Sequence, residues 1–317
     1  MKIAVLALQG VFDTGLAAVL DAFTTANELA AMESLSTRFD VGIVGVRSRV
    51  QTSQGLGVPV GAIDTKSRPD WVVIPAPDYK TPDPLQEGLQ RRDIRDAGDA
   101  LRAWHARGVK ISAACVGTFV LAESGLLEDH EATTTWWLAP LFRQRYPSVR
   151  LDASRMIVPS GRFLTAGAAL SHVDMCLWLI RQSSPELAEL TAHYLVTDSR
   201  PSQSAYAISD HLAHSDPLVT RFEHWVRERL ATGFQLDEAV RALATSQRTL
   251  TRRINQVLGK TPLSFVQDLR VERAVHLLKT TGDSVDDVAA AVGYGDGVTL
   301  RALLRKRLGR GVRDIRN

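Results

Sequence analysis

Residues 109–125 read VKISAACVGTFVLAESG. An apolar run ends abruptly at Cys115, and apolar residues at helical spacing, Phe119 and Val120, begin behind it. Gly117 stands where a sharp turn would bring backbone against backbone. This is the pattern of a strand–turn–helix corner that lifts one side chain out of a sheet. The side chain lifted here is a thiol, which at such a corner is either a nucleophile or the floor of a binding pocket.

Outward from the corner the same grammar recurs. Residues 3–8, 39–46, 71–75 and 109–114 read as strands, several of them apolar at every position. Continuous apolar runs mean burial on both faces, as in a parallel sheet covered by helices. Between them, 15–31 carries Leu16, Val19, Leu20 and Phe23 at helical spacing, and 94–106 does the same before Arg107-Gly108 stops it. After the corner come a helix ending at Gly125, short strands near 149–151, 156–158 and 163–165, and helices over 168–181 and 185–195. Such a βαβ arrangement places ligands beyond the carboxyl ends of its strands.

At 317 residues the chain predicts two domains, and 45% hydrophobic with 23% charged residues marks a soluble globular protein, not a disordered one. Two cysteines, Cys115 and Cys176, are too few for a disulfide framework and point to the reducing cytoplasm. The N-terminus has one positive charge and an apolar run that stops at Gln9, so a buried first strand fits better than a signal peptide. No run approaches the ~18 apolar residues of a membrane span. Charge is divided unevenly. Residues 216–317 hold 18 Lys and Arg against 12 Asp and Glu, whereas 1–215 hold 20 against 23. A basic C-terminal third beside a slightly acidic body suggests a nucleic-acid-facing domain attached to something else.

That third repeats itself. After an amphipathic helix over 218–230, Leu236-x-x-Ala239-Val240-x-x-Leu243-Ala244 matches Val285-x-x-Val288-Ala289-x-x-Val292-Gly293 at an offset of 49. Thr249-Leu250 then matches Thr299-Leu300, and Leu258-Gly259 matches Leu308-Gly309, at an offset of 50, so the second turn has one extra residue. Each copy is a short helix, a small-residue turn and a longer basic helix, which is helix-turn-helix grammar. A helix over 262–279, opened by Pro262, joins the copies, and Ser284 or Asp283 caps the next unit. Two recognition helices on one chain, about one DNA turn apart, reach successive major grooves. The polar, Ser-rich stretch 198–215 is expected to be the linker between domains 1–197 and 216–317. Within it His211 and His214 lack a third ligand, so no metal site is expected.

Longer motifs appear in order over the first domain: Phe12-Asp13, Thr52-Ser53-x-Gly55-Leu56, Pro69-Asp70-Trp-Val-Val-Ile-Pro75, the corner from Cys115 to Gly125, Ala132-Thr-Thr-x-Trp136 and Thr165-Ala-Gly167. Over about residues 1–195 the chain resembles the sensor half of a group of bacterial transcription regulators. That half is similar to the DJ-1/PfpI branch of the class I glutamine-amidotransferase-like fold, an α/β flavodoxin-like sandwich with a parallel sheet and helices on both faces. Over about 217–316, Gln267-x-x-Arg270-x-x-Arg273-Ala274-x-x-Leu277-Leu278 and Ser284-x-x-x-x-Ala289-x-x-Val292-Gly293-Tyr294 resemble the AraC/XylS DNA-binding domain, all-α with two helix-turn-helix units.

The first resemblance implies a corner Cys served, in catalytic relatives, by a His and by an acid from the first loop. Asp13 stands at the position of that acid, and equally suits the N-cap of the helix that follows. The segment often reading Ala-Thr-Thr-His-Trp ends here in Thr134-Thr135-Trp136, and threonine takes up no proton near neutral pH. The usual Gly-Gly after the strand at 71–75 reads Ala76-Pro77, and Pro77 has no N–H to donate. His172 is either a substitute base or a residue that caps or packs a helix start. Trp136 and Trp137 either wall a pocket or fill the core. The balance favours a pocket without chemistry, in which Asp13, Ala76, Cys115, Val116, Thr135, Trp136 and His172 hold a small-molecule effector with no cofactor and no metal.

The second resemblance places Arg248, Thr249, Thr251 and Arg252 of the first copy at groove-facing positions, where an arginine grips guanine O6 and N7. The corresponding positions of the second copy are Gly297, Val298, Thr299, Arg301 and Ala302, with Arg301, Arg305, Lys306 and Arg307 available for phosphate. Copy one is therefore expected to dominate base readout and copy two the grip on the backbone. The closing motif Ser-Pro-x-x-Tyr-Arg reads Gly311-Val312-x-x-Ile315-Arg316, so the last turn is expected to dock in its own way. Together the two halves imply a cytoplasmic, ligand-responsive regulator on double-stranded promoter DNA, not an enzyme. By resemblance it dimerises through its first domain, and RNA polymerase is a further partner the family allows. The alternative is a Cys115-dependent hydrolase or glyoxalase-like enzyme, or a thiol redox sensor, that carries a DNA-binding domain.

Overall fold

The computed structural model describes residues 1–198, 200, 202–203, 216–309 and 311–316. The chain divides into two compact units, Met1–Gln203 and Ser204–Asn317. Most of the stretch read as a linker, with His211 and His214, lies outside the described residues. Of its described members, Arg200, Ser202 and Gln203 bond to the first unit, through Asp174, Ser154 and Ala168.

The first unit is built on a sheet of seven strands: β1 (Lys2–Leu6), β2 (Asp40–Gly45), β3 (Gly61–Ala62), β4 (Trp71–Ile74), β5 (Lys110–Ala114), β6 (Ile157–Ser160) and β7 (Phe163–Ala166). Their spatial order is β6-β7-β5-β4-β1-β2-β3, and every neighbouring pair is parallel except β6 with β7. The continuous apolar runs of β1, β4 and β5 have the physical basis expected of them, because both faces are covered. Ile3 and Val5 point to a core filled by Val19, Phe23 and Ala26 of α1 (Asp13–Met32) and by Met175, Cys176 and Leu179 of α6 (Ser171–Ser183). Ala4 and Leu6 point to the opposite core. There they meet Leu85 of α2 (Pro82–Leu89), Leu101 and Trp104 of α3 (Arg92–Ala106), and Phe119 of α4 (Gly117–Glu123). Strand order reverses between β1 and β4, so the loops after β1, β4 and β5 open on one crevice.

Two further helices, α5 (Ala139–Arg145) and α7 (Pro185–Tyr194), and two short ribbons, Val50–Gln51 with Gly57–Val58 and Glu131–Ala132 with Arg150–Leu151, complete the unit. Of the helices and the strands of the large sheet, α2, α5 and β3 go beyond the sequence reading. The Pro82-Asp83-Pro84 opening of α2 looks like a turn, although proline fits a first helical turn well. One local expectation is corrected. Phe12, not Asp13, occupies the N-cap of α1, and Asp13 is its first helical residue. Its carboxylate reaches sideways to the turn at 52–54 instead.

The second unit is helical: α8 (Pro217–Arg227), α9 (Leu236–Ala242), α10 (Gln247–Leu258), α11 (Pro262–Thr280), α12 (Val285–Ala291), α13 (Gly297–Leu308) and α14 (Val312–Arg316). It has two cores, and α11 serves both. Phe265, Val266 and Leu269 enter the first, while Val271, Ala274 and Leu278 enter the second. The sequence repeat is also a backbone repeat. Ala244 (φ 49°) and Gly293 (φ 80°) turn the chain in the left-handed region. Ser246 and Asp296 cap α10 and α13 by accepting the N–H of Thr249 and Thr299, and Gly259 and Gly309 end both helices in left-handed caps. Ser284 is the cap of α12, in a capping box with Asp287. Ile315 of α14 is buried in the second core. No helix among the described residues is long and apolar enough to cross a membrane.

Candidate functional site

Cys115 closes β5 with φ 54°, a left-handed conformation strained for a residue with a Cβ. Its N–H donates to Ala166 O at 2.9 Å, and Thr134 Oγ1 donates to its carbonyl at 2.7 Å. Gly117 is required two residues later, since a Cβ there would lie 2.5 Å from Ile74 O. The backbone is thus that of a nucleophile corner. The thiol itself is buried. Burial pushes it up to about 11, and the nearby Val116 N–H and Lys80 recover only part of the shift. At neutral pH the thiolate is then on the order of one molecule in ten thousand.

His172 supplies no base. It is fully buried, and its Nε2 accepts the N–H of Ala76 at 3.2 Å. The proton therefore sits on Nδ1, which donates to Ala169 O at 2.5 Å. Burial pulls its pKa down to about 4, so the ring is neutral at physiological pH. It packs against the start of α1, where a Cβ on Gly15 would meet the ring at 2.8 Å. Of the two roles open to it from sequence, His172 fills the packing one. Ala76 is equally committed, because its carbonyl accepts Phe12 N–H at 2.8 Å while its N–H serves His172. With Pro75 before it and Pro77 after it, the start of this loop offers no free N–H to an oxyanion.

Of the remaining expected effector residues, Asp13 opens α1 and Trp136 opens the short 3-10 turn before α5. Asp13 Oδ2 accepts Ser53 Oγ at 2.8 Å and Gln54 N–H at 3.1 Å. The hydroxyls of Thr52 and Ser53, with that N–H, hold its carboxyl below the usual range. Lys80 Nζ lies 4.6 Å over the Phe12 ring and pairs with Asp78. Trp136 is half-buried, edge-on to Trp137 at 5.4 Å. Ala76, Cys115, Val116, Thr135 and His172 are buried, and only Asp13 and Trp136 are partly open to solvent. The hydroxyls of Thr118 and Ser171 are buried and have no hydrogen-bond partner among the described residues, and that of Thr135 faces the Cys115 thiol. Sequence reasoning missed Lys80 and Asp78, whose charges act on the Cys115 thiol, and the 52–54 turn that holds Asp13, because these links are made only by the fold.

In the second unit, Arg248 and Arg252 are exposed four residues apart on α10, and Arg301 and Arg305 are exposed four apart on α13. Positions four apart share one helix face. None of these four arginines forms an ion pair with a described residue. Thr249 is half-buried, and its hydroxyl accepts from Ser246 Oγ at 2.9 Å, while Thr251 is also half-buried. Val298 is 71% exposed, and Thr299 is exposed with its hydroxyl on Asp296. Two expectations are corrected here. Gly297 does not face outward. It is buried against α12, where its N–H donates to Asp286 Oδ1 at 2.7 Å and a Cβ would lie 2.8 Å from that oxygen. Arg307 is not available for phosphate either, because it pairs with Asp268 at 3.1 Å and donates to Ser264 and Gln267, fastening α13 to α11.

Residues 239–317 match the helix-turn-helix domain family. The HTH-type transcriptional regulator GbdR of Pseudomonas aeruginosa is 26% identical over 212 residues, which are 65% of this chain and 57% of GbdR. The regulator ArgR of the same organism is 25% identical over 69% of this chain and 68% of its own. The regulator GlxA of Rhizobium meliloti is 24% identical over 64% and 63%. The chain thus spans little more than half the length of GbdR. Among solved structures, an AraC family transcriptional regulator from Pseudomonas putida aligns with TM-score 0.52 at 18% identity, over 61% of this chain and 98% of that one. Drosophila melanogaster DJ-1beta aligns with TM-score 0.50 at 16% identity, over 62% and 98%. At such identities the likeness is one of fold. The chain therefore carries an AraC-type helix-turn-helix domain behind a unit with the fold of the DJ-1/PfpI proteins, and its homologues are HTH-type transcriptional regulators.

Proposed function

We propose that the chain is a sequence-specific DNA-binding transcription regulator whose first unit senses a small molecule without converting it. The observation that carries this reading is the second unit's repeat, in which two helices with matching turns and caps each present a pair of arginines with no acidic partner among the described residues. On α10, Arg248 and Arg252 have the reach and fork geometry to read guanine edges in a major groove. On α13, Arg301 and Arg305 grip phosphate, while the apolar ends of Val298 and Thr299 meet thymine methyl groups. The first unit supports sensing over turnover because its thiol is protonated and its histidine and loop N–H are already bonded. In this reading the protein works in the cytoplasm as a homodimer on double-stranded promoter DNA, with RNA polymerase as a further partner. An effector acts only if its affinity differs between two states of the protein.

Selection of bound sequences from a random double-stranded pool by the full chain tests the proposal. Two half-sites about one helical turn apart are expected. A pool that enriches for no sequence would end it. A second reading, a Cys115-dependent enzyme, draws on the strained corner backbone. Its mark would be alkylation of Cys115 that saturates well below pH 9, together with loss of turnover of a trial substrate in Cys115→Ser.

A further inference from the structure

The side chain of Gln203 is fully buried in the first unit, although it comes from the last described residue before the segment 204–215 that leads to the second. Its carboxamide is read at both ends. Nε2 donates toward Thr134 O at 2.8 Å, Thr133 Oγ1 at 3.2 Å and Arg155 O at 3.4 Å, and Oε1 accepts Ala168 N–H at 3.0 Å. Thr133 spends its own proton on Arg155 O at 2.9 Å, so all three partners of Nε2 act as acceptors. Gly167 makes the space, since a Cβ there would lie 2.7 Å from the Gln203 amide. The subsite also touches the corner directly, because Thr134 accepts from Gln203 through its carbonyl and donates to Cys115 O through its hydroxyl.

A ring of acceptors around one atom and a single donor at the other is complementary to a primary carboxamide. It is hostile to a carboxylate, whose second oxygen would face two carbonyls and a committed hydroxyl without a proton between them. We propose that Gln203 is the built-in occupant of an amide-reading subsite beside the Cys115 corner. A small molecule bearing a primary carboxamide takes its place and releases Gln203 from the first unit's core. The proposal rests on the sensor reading above, and supplies both the chemical class of effector and the element it moves. Docked and released states of Gln203 are the two states between which such a ligand discriminates.

Hydrogen exchange on the full chain, with propionamide as probe and propionate as its charged isostere, tests the subsite. In the wild type, propionamide should speed exchange of the Gln203 N–H, which donates to Ser154 O, while the Ala168 N–H stays protected by the incoming carbonyl. Propionate should change neither. In Gln203→Ala, Ala168 exchange should rise on the order of tenfold, and propionamide alone should restore it. Gly167→Ala, which fills the cradle from the opposite side, should release Gln203 without rescue. On a selected duplex, propionamide should shift wild-type affinity several-fold, with Gln203→Ala fixed at the shifted value. Equal effects of the two probes, or Gln203 protection unchanged across the wild-type titration, overturn the proposal and leave Gln203 a fixed anchor. If exchange behaves as expected but the chain binds no DNA, the subsite stands and the regulator reading falls.

Discussion

The buried corner at Cys115 and the exposed repeat of the second unit share a device, a tight turn through the left-handed region. Cys115, Ala244 and Gly293 have φ of 54°, 49° and 80°. The outcomes are opposite. At the corner the Ala76 N–H and both nitrogens of His172 are bonded within the fold, and burial pushes the Cys115 thiol's pKa up. In the repeat the turns aim helices on which Arg248, Arg252, Arg301 and Arg305 have no ion-pair partner among the described residues. A turn therefore sets where a side chain points, and what its neighbours leave unpaired sets what it can do.

The largest test of that contrast lies between the two repeat turns. Gly293→Ala would put a Cβ 2.3 Å from Leu230 O and 2.7 Å from an Arg270 nitrogen at a positive φ. It should cost more than ~3 kcal/mol in denaturant unfolding. Ala244→Gly at the equivalent position should stay within ~1 kcal/mol of wild type, because relief of strain offsets the freer unfolded chain. Equal losses would show that the close approach of Leu230 and Arg270 to Gly293 does not set its cost.

Next in size is the corner's response to acid. His172 is neutral when folded, with a pKa of about 4, and takes up a proton near 6.5 when unfolded. Between those values the unfolded state binds more protons, so stability should fall as pH drops from 6.5 to 4, by up to about 3 kcal/mol. His172→Gln should flatten that slope in urea titrations. The thiol works in the other direction. With its pKa at about 11 instead of 9, Cys115 should subtract stability as pH rises from 9 to 11.

Smaller effects separate the two recognition helices. Arg252→Ala should weaken a selected site by roughly 1–3 kcal/mol and relax preference at one base pair, with little change on random DNA. Arg305→Ala should weaken all sequences alike and lower the salt slope by about 1. Smallest of all, replacing a contacted thymine by uracil in the second half-site should cost about 0.8 kcal/mol, the worth of one methyl group, and nothing in Val298→Ala. Binding titrations in which Arg252 and Arg305 behave identically would dissolve the division of labour between the copies.

Much of the architecture follows from sequence alone, because it depends on periodicity and turn chemistry that are local. Runs such as those at 3–6 and 71–74 are apolar throughout since both faces are covered, and the offsets of 49 and 50 foretell matching turns and caps to the residue. The absence of a base at Thr135 and of a donor at Pro77 is likewise written in the sequence. Other features depend on partners far away along the chain. That His172 is spent on Ala76, that Arg307 is held by Asp268 and Gln267 while Arg305 is not, and that Gln203 reaches back to Thr134 each rest on a hydrogen bond spanning tens of residues. No local pattern encodes such a bond. Sequence determined which groups the protein possesses and which elements carry them, and only the tertiary structure decided which of those groups were already spoken for.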